Sequence, residues 1–232
     1  MSANTFLTAR SSVLELVGPA GAGKSSLLRV LSQRDQTIRA GLRMPGHRYI
    51  AGAFPLLPTF LDLHRPYRRV LWKEMKRVLY LETLRKLLKR EVSGNHKAII
   101  FDEGPVYMLT RMQVFGHEIL KEKCFKKWWR ASINHWANLV DVIVWLDADD
   151  SILAQRLRTR NQPYPVSDTT DQFLREFLAR YRVAFEQVIS ELTACNGPRV
   201  ITFTTHNESL KQIADKVISG LDGEWNACLP LA

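Results

Sequence analysis

Cysteine is scarce: the 232-residue chain has three, Cys124, Cys195 and Cys228. Their odd number and wide spacing argue against a disulfide framework or a zinc knuckle, so reduced thiols are expected. Long apolar runs are missing too. No stretch approaches the roughly eighteen apolar residues of a membrane-spanning helix, and residues 1–12 lack an apolar core of signal-peptide length. A cytoplasmic protein without a membrane span is therefore expected. Low-complexity tracts and internal repeats are also absent, and 46% hydrophobic against 24% charged residues leaves no room for a long disordered block. Acidic residues are in deficit, 23 against 33 Lys and Arg, which gives a formal net charge of +10. Such a charge points to anionic partners: nucleotides, phosphorylated or sulfated substrates, nucleic acid or an acidic surface. It does not choose among them.

What is present reads as one α/β domain. Short apolar, β-branched runs at 13–17, 98–101, 140–146 and 200–203 alternate with helical patterns, which predicts a mostly parallel sheet with helices on both faces. Glu15 interrupts the first run, so that strand is expected to be one-sided or near an edge. A fifth, short strand is expected within 48–54. Leu71, Met75, Val78, Leu81, Leu84 and Leu88 recur at helical steps, with lysines facing solvent between them. Leu174, Leu178, Tyr181, Phe185, Val188 and Leu192 mark a second long helix. A last helix is expected to start near Asn207 as its cap and to run to Gly220. Pro and Gly make loops of 41–58 and 161–166. The domain spans about 13–221, and 222–232 is left as a tail.

The segment Gly18-Pro19-Ala20-Gly21-Ala22-Gly23-Lys24-Ser25 fits G-x-x-x-x-G-K-[ST] at every fixed position, between an apolar strand and a helix that begins around Ser26. In that context the backbone N–H groups curl around phosphate oxygens, and the helix N-terminus adds partial positive charge. Lys24 reaches the β- and γ-phosphates, and the Ser25 hydroxyl is placed to ligate magnesium. An incidental glycine-rich turn is the bland alternative. It would not supply the complete motif between strand and helix.

A metal-bound nucleotide calls for a carboxylate at a nearby strand end, and Asp102-Glu103-Gly104 follows an apolar strand there. A carboxylate in that place holds magnesium through water or accepts a proton from an attacking hydroxyl. Adjacent residues on an extended chain point to opposite sides, so only one of Asp102 and Glu103 is expected to face an acceptor. Beyond a further strand ending at Leu146-Asp147, Arg156 and Arg160 lie four apart on one helical face while Arg158 points elsewhere. Guanidinium forks match the equatorial oxygens of a transferring phosphoryl group, and the proline-containing loop that follows suits a lid over about 156–166.

These three places resemble the phosphate loop, acidic motif and arginine lid of the P-loop nucleoside and nucleotide kinases, especially the thymidylate kinase-like branch. The similarity of layout covers about 13–221. It implies a five-stranded parallel sheet, ATP as donor with magnesium, and an acceptor pocket between the first helix and the acidic strand. Thymidylate and deoxynucleoside kinases carry an arginine directly after the acid, where this chain has Glu103. Arg111, farther along, is the substitute that the resemblance offers. Arg43 and Arg65 fall in the insert of about 40–70, where related kinases place acceptor loops, and read equally as acceptor ligands or as solvated charges.

The segment from Lys121 to Arg130 mixes lysines with Phe125, Trp128 and Trp129. With Ile133 and Trp136 these aromatics form a stripe that packs on the core or on a second subunit, which keeps a homodimer open and makes a nucleic-acid surface the weaker reading. A guanine-specifying Asn-Lys-x-Asp and a transporter-type Ser-Gly-Gly-Gln are absent. The sequence therefore predicts a P-loop phosphotransferase that acts on a small acceptor, and the net charge is compatible with an anionic one. The alternative is a nucleotide-binding or hydrolysing module without an acceptor.

Overall fold

The computed structural model describes residues 10–42, 71–116, 123–159 and 170–224. Strand β1 (Ser12–Val17) runs into the glycine loop and helix α1 (Lys24–Arg34), followed by β2 (Ile38–Ala40). Helix α2 (Leu71–Glu91) leads to β3 (Ala98–Phe101), α3 (Pro105–Phe115) and α4 (Lys123–Ala137). Then come β4 (Val142–Asp147), α5 (Asp150–Arg158), α6 (Asp171–Thr193), β5 (Arg199–Thr204) and α7 (Leu210–Ser219), which ends in a π-helical turn, Gly220–Glu224.

The five strands form one all-parallel sheet in the order β2-β3-β1-β4-β5. Alternation sorts the strand side chains. Val13, Val17, Ile99, Phe101 and Ile143 face a core closed by α2, α3, α4 and α6, while Leu14, Leu16, Ile100, Val144 and Leu146 face one closed by α1, α5 and α7. The order reverses at β1, where successive strands depart to either side, so the carboxyl end of β1 opens onto a crevice between them.

The structure corrects three expectations and adds a strand that the pattern does not show. Strand β1 lies at the centre of the sheet and not near an edge, and Glu15 is wholly buried within it. The carboxyl is tolerated there because backbone N–H groups from α3 meet it, a partner that the local pattern does not reveal. The fifth strand of the sheet is β2 at Ile38–Ala40, too short to show a period; the strand expected within 48–54 lies outside the described residues. The last helix is capped by Ser209 and not by Asn207, through a capping box with Gln212. Asp102 to Gly104 form a turn rather than extended chain, with consequences for both carboxylates.

Helix α4 buries Phe125, Ile133 and Trp136. The indole N–H of Trp128 donates to Glu82 of α2 at 3.3 Å and that of Trp129 to Glu191 of α6 at 2.7 Å. The aromatic stripe thus packs within its own chain, with Lys126, Lys127 and Arg130 as an exposed rim. Among the described residues no helix is long and apolar enough to cross a membrane.

Candidate active site at the carboxyl ends of the strands

A cleft of about 460 Å³ opens above β1 and β3. One wall is the glycine loop. Gly18 leaves β1 with φ 133°, and a Cβ there would lie 1.9 Å from the carbonyl oxygen of Leu146. Only glycine therefore lets the loop pass this close to β4. Gly23 caps α1 without a side-chain acceptor, and no acidic residue stands in the first turn, which leaves the N-terminal N–H groups facing the cleft. Lys24 donates to the carbonyl oxygens of Gly18 at 2.7 Å and Pro19 at 2.9 Å, and Ser25 and Ser26 are exposed. Every residue from Gly18 to Ser26 except Pro19, which is buried, lines the cleft, Ala20, Gly21 and Ala22 among them.

Asp102 and Glu103 line the opposite wall. Both reach the cleft because the chain has already turned after Phe101 and the period-2 alternation no longer applies. Tyr107 on the first turn of α3 and Tyr181 on α6 complete this side. Arg111 sits one turn beyond Tyr107, its guanidinium 5.7 Å from that ring and 5.9 Å from the ring of Phe115. Both distances are within reach of a cation–π attraction. Arg111 does not line the cleft, and its Nε is buried with no hydrogen-bond partner among the described residues.

Arg156 spans the third side. It donates to Thr205 Oγ1 at 2.9 Å, to the Thr205 carbonyl at 3.0 Å and to the Gly21 carbonyl at 3.3 Å, which bridges the end of β5 to the glycine loop. Arg158 points away and pairs with Asp171, as its helical phase predicts. Arg43, Arg65 and Arg160 lie outside the described residues, as do most of the 40–70 insert and the 156–166 segment beyond Thr159.

Beneath the acidic wall lies Glu15. Its Oε2 accepts from Val106 N and its Oε1 from Tyr107 N, both at 2.8 Å. Burial pushes this carboxyl up to about 8; the N–H groups of Tyr107, Val106 and Gly104 pull the other way, and the neighbouring Asp102 charge adds to the rise.

Tyr107, Tyr181, Leu157, Thr205 and Leu210 are cleft residues that the motifs did not mark. Thr205 carries a usable signal, since it follows β5 directly at the carboxyl edge where ligands of open α/β sheets bind. The two tyrosines carry none beyond helical phase. Chemically, one wall offers backbone N–H groups and an ammonium, suited to phosphate, and the other offers carboxylates. The hydroxyl of Ser25 and the carboxylate of Asp102 are hard oxygen donors on one cleft, which fits magnesium.

Solved structures share this fold. The Bacillus subtilis protein YorR, solved in complex with phosphorylated GDP, matches over 93% of this chain and 98% of its own, with 17% identity and a TM-score of 0.50. Deoxyadenosine kinase from M. mycoides, solved with its products dCMP and a flexible dCDP, matches over 91% and 99%, with 15% identity and a TM-score of 0.51. The same enzyme with bound dATP matches over 90% and 99%, again with 15% identity and a TM-score of 0.51. The chain therefore has the α/β fold of these structures, a five-stranded all-parallel sheet covered by helices. No family model and no curated protein matches the sequence.

Proposed function

We propose that the chain is an ATP-dependent phosphotransferase that passes a γ-phosphoryl group to the hydroxyl of a small acceptor, in the narrower reading a nucleoside or nucleotide. The observation that carries this reading is the two-sided cleft, with the glycine loop, Lys24 and Ser25 on one wall and Asp102 and Glu103 on the other. A nucleotide hydrolase needs the first wall and one carboxylate for the metal; the second carboxylate, with Tyr107 and Tyr181 beside it, leaves room for an acceptor. Two proteins that share the fold at low identity, deoxyadenosine kinase with deoxynucleotides bound and YorR with phosphorylated GDP, support the narrower reading.

In this mechanism the loop N–H groups and Lys24 hold the β- and γ-phosphates, while Ser25 and Asp102 would hold magnesium, which neutralises charge on the phosphates. Asp102 or Glu103 takes the proton of the attacking hydroxyl. Arg156 turns from Thr205 toward the oxygens of the transferring group, where charge spreads as the bond to the leaving oxygen lengthens. Arg160 and the 156–166 segment act with it as a lid, Arg43 and Arg65 serve the acceptor, and Arg111, outside the cleft lining, acts on it through the Tyr107 ring. The protein is cytoplasmic.

The test is a screen of nucleosides, nucleotides, sugars and aminoglycoside-like compounds for acceptor-dependent release of ADP from ATP. One acceptor that raises release well above the acceptor-free rate supports the assignment. Release of ADP that no acceptor stimulates would favour the hydrolysing module instead.

A further inference from the structure

The face of β1 that carries Val13 and Val17 packs against α3, and at the position between them stands Glu15. An apolar side chain there would extend the core, yet it would leave the first N–H groups of α3 without acceptors. That helix has no cap of its own: Gly104 occupies the N-cap with no side-chain bond, and Pro105 follows. Glu15 takes the cap's part from another strand, receiving Val106 N and Tyr107 N on its two oxygens. Gly104 is shaped to this carboxyl, since a Cβ on it would lie 2.8 Å from both Cδ and Oε2 of Glu15.

The location of this link matters. Glu15 is level with Phe101 in the parallel register, and Phe101 is the last residue of β3 before Asp102. In the other direction β1 continues through Val17 into Gly18 and the glycine loop. The turn carrying Asp102 and Glu103 has left the ladder, so among the described residues it is placed by the strand before it, the helix after it and the Tyr80 hydroxyl of α2, which donates to the Glu103 carbonyl at 3.3 Å. We infer that Glu15 is a positioning residue: by fixing the start of α3 to the strand that enters the phosphate loop, it sets the acidic wall of the cleft at its working distance from the phosphate wall. Misplacement of about 1 Å costs reactions on the order of a hundredfold, so such a tie acts on chemistry as well as on stability.

The inference rests on the proposed roles of Asp102 and Glu103, and ATP is the probe. ATP affinity is measured calorimetrically with magnesium and with EDTA, together with amide exchange across 102–110, for the wild type and for Glu15→Gln, which keeps the size but sets an amide N–H against the backbone donors. The expected result is ATP binding in EDTA unchanged within about twofold, magnesium enhancement reduced roughly tenfold or more, and faster exchange at Val106 and Tyr107. Leu192→Ala, buried in α6, is the control for lost stability alone and should retain the enhancement. If Glu15→Gln does not fold, Glu15→Asp withdraws the oxygens by one methylene and gives the same readouts. A folded Glu15 variant with unchanged exchange and unchanged enhancement overturns the inference, as does an equal loss in Leu192→Ala. Asp102→Asn separates the underlying assignment: if it keeps the enhancement that Glu15→Gln loses, the turn acts through Glu103 and the assignment of Asp102 fails while that of Glu15 stands.

Discussion

Arg182 grips Asp147 with two parallel hydrogen bonds, Nε to Oδ2 at 2.8 Å and Nη2 to Oδ1 at 3.0 Å. Its remaining donors reach Asp150 Oδ1 at 2.6 Å and the Ala148 carbonyl at 3.1 Å. One guanidinium from α6 thus fastens the end of β4 to the start of α5. The backbone of Asp147 in turn accepts from Thr205, which holds Arg156 over the cleft. Arg182→Lys keeps the charge but loses the fork. The expected cost is about 1–3 kcal/mol for a half-buried pair, read as a fall in Tm of roughly 2–10 °C. A Tm equal to wild type would show the fork to be redundant.

Lys24→Ala is expected to lower acceptor-dependent turnover roughly a hundredfold or more, because the charge that this ammonium meets grows mainly in the transition state. Its side chain makes its contacts with loop carbonyls and contributes no core area, so the melting temperature should stay close to wild type. Near-normal turnover in the folded variant would overturn the phosphotransferase assignment.

Arg156→Ala should reduce kcat far more than Arg158→Ala, though both lie on one short helix. Arg156 faces the cleft, whereas Arg158 makes an exposed pair with Asp171 that is worth little. Nucleotide affinity should change less than kcat in the Arg156 variant, since ground-state binding rests on the glycine loop. Equal losses in the two variants would indicate general electrostatics in place of a directed contact.

The phosphate wall was legible because its motif is contiguous: Gly18 to Ser25 carries the turn, the charge and the helix start in one stretch of chain. Asp102 was legible for the same reason, as the end of an apolar strand. The direction of its neighbour was not, because the alternation that sorts Phe101 from its neighbours holds only while the chain is extended. Glu15 reads from sequence as a flaw in a buried strand, and its justification arrives from Val106 and Tyr107, 91 and 92 residues away. Local pattern carries no information about a partner at that distance. Strand β2 escaped notice because three residues cannot display a period of two, and its place is set by pairing with β3.

The two carboxylates of the acidic wall are separable by experiment. Asp102→Asn keeps size and much of the hydrogen bonding but removes the charge, so turnover should fall by about a hundredfold or more with little change in Tm. Loss of magnesium-dependent ATP affinity in the same variant would indicate a metal role, and retention would indicate a base. An active Asp102→Asn protein beside an inactive Glu103→Gln protein would reverse the assignment.

The pH dependence of stability should carry the signature of Glu15. Its carboxyl titrates near 4.5 when unfolded and near 8 when folded, with burial as the chief cause. Between those values the folded chain holds a proton that the unfolded chain has released, so stability declines as pH rises. The contribution is full below about 4.5 and is lost as pH passes through about 8. Asp35 and Asp171 work in the opposite sense: the Thr37 hydroxyl and the Arg158 guanidinium hold their carboxyls below the usual range, and their contribution fades only in acid. Glu15→Gln removes the first effect and leaves the other two. The unfolding free energy of wild type minus that of Glu15→Gln should therefore fall from about pH 5 to about pH 8 and then level off, a total change on the order of a few kcal/mol. Urea titrations of both proteins at unit pH steps provide the measurement, and a difference that stays flat across the range would mean that Glu15 keeps an ordinary carboxylate pKa in the fold.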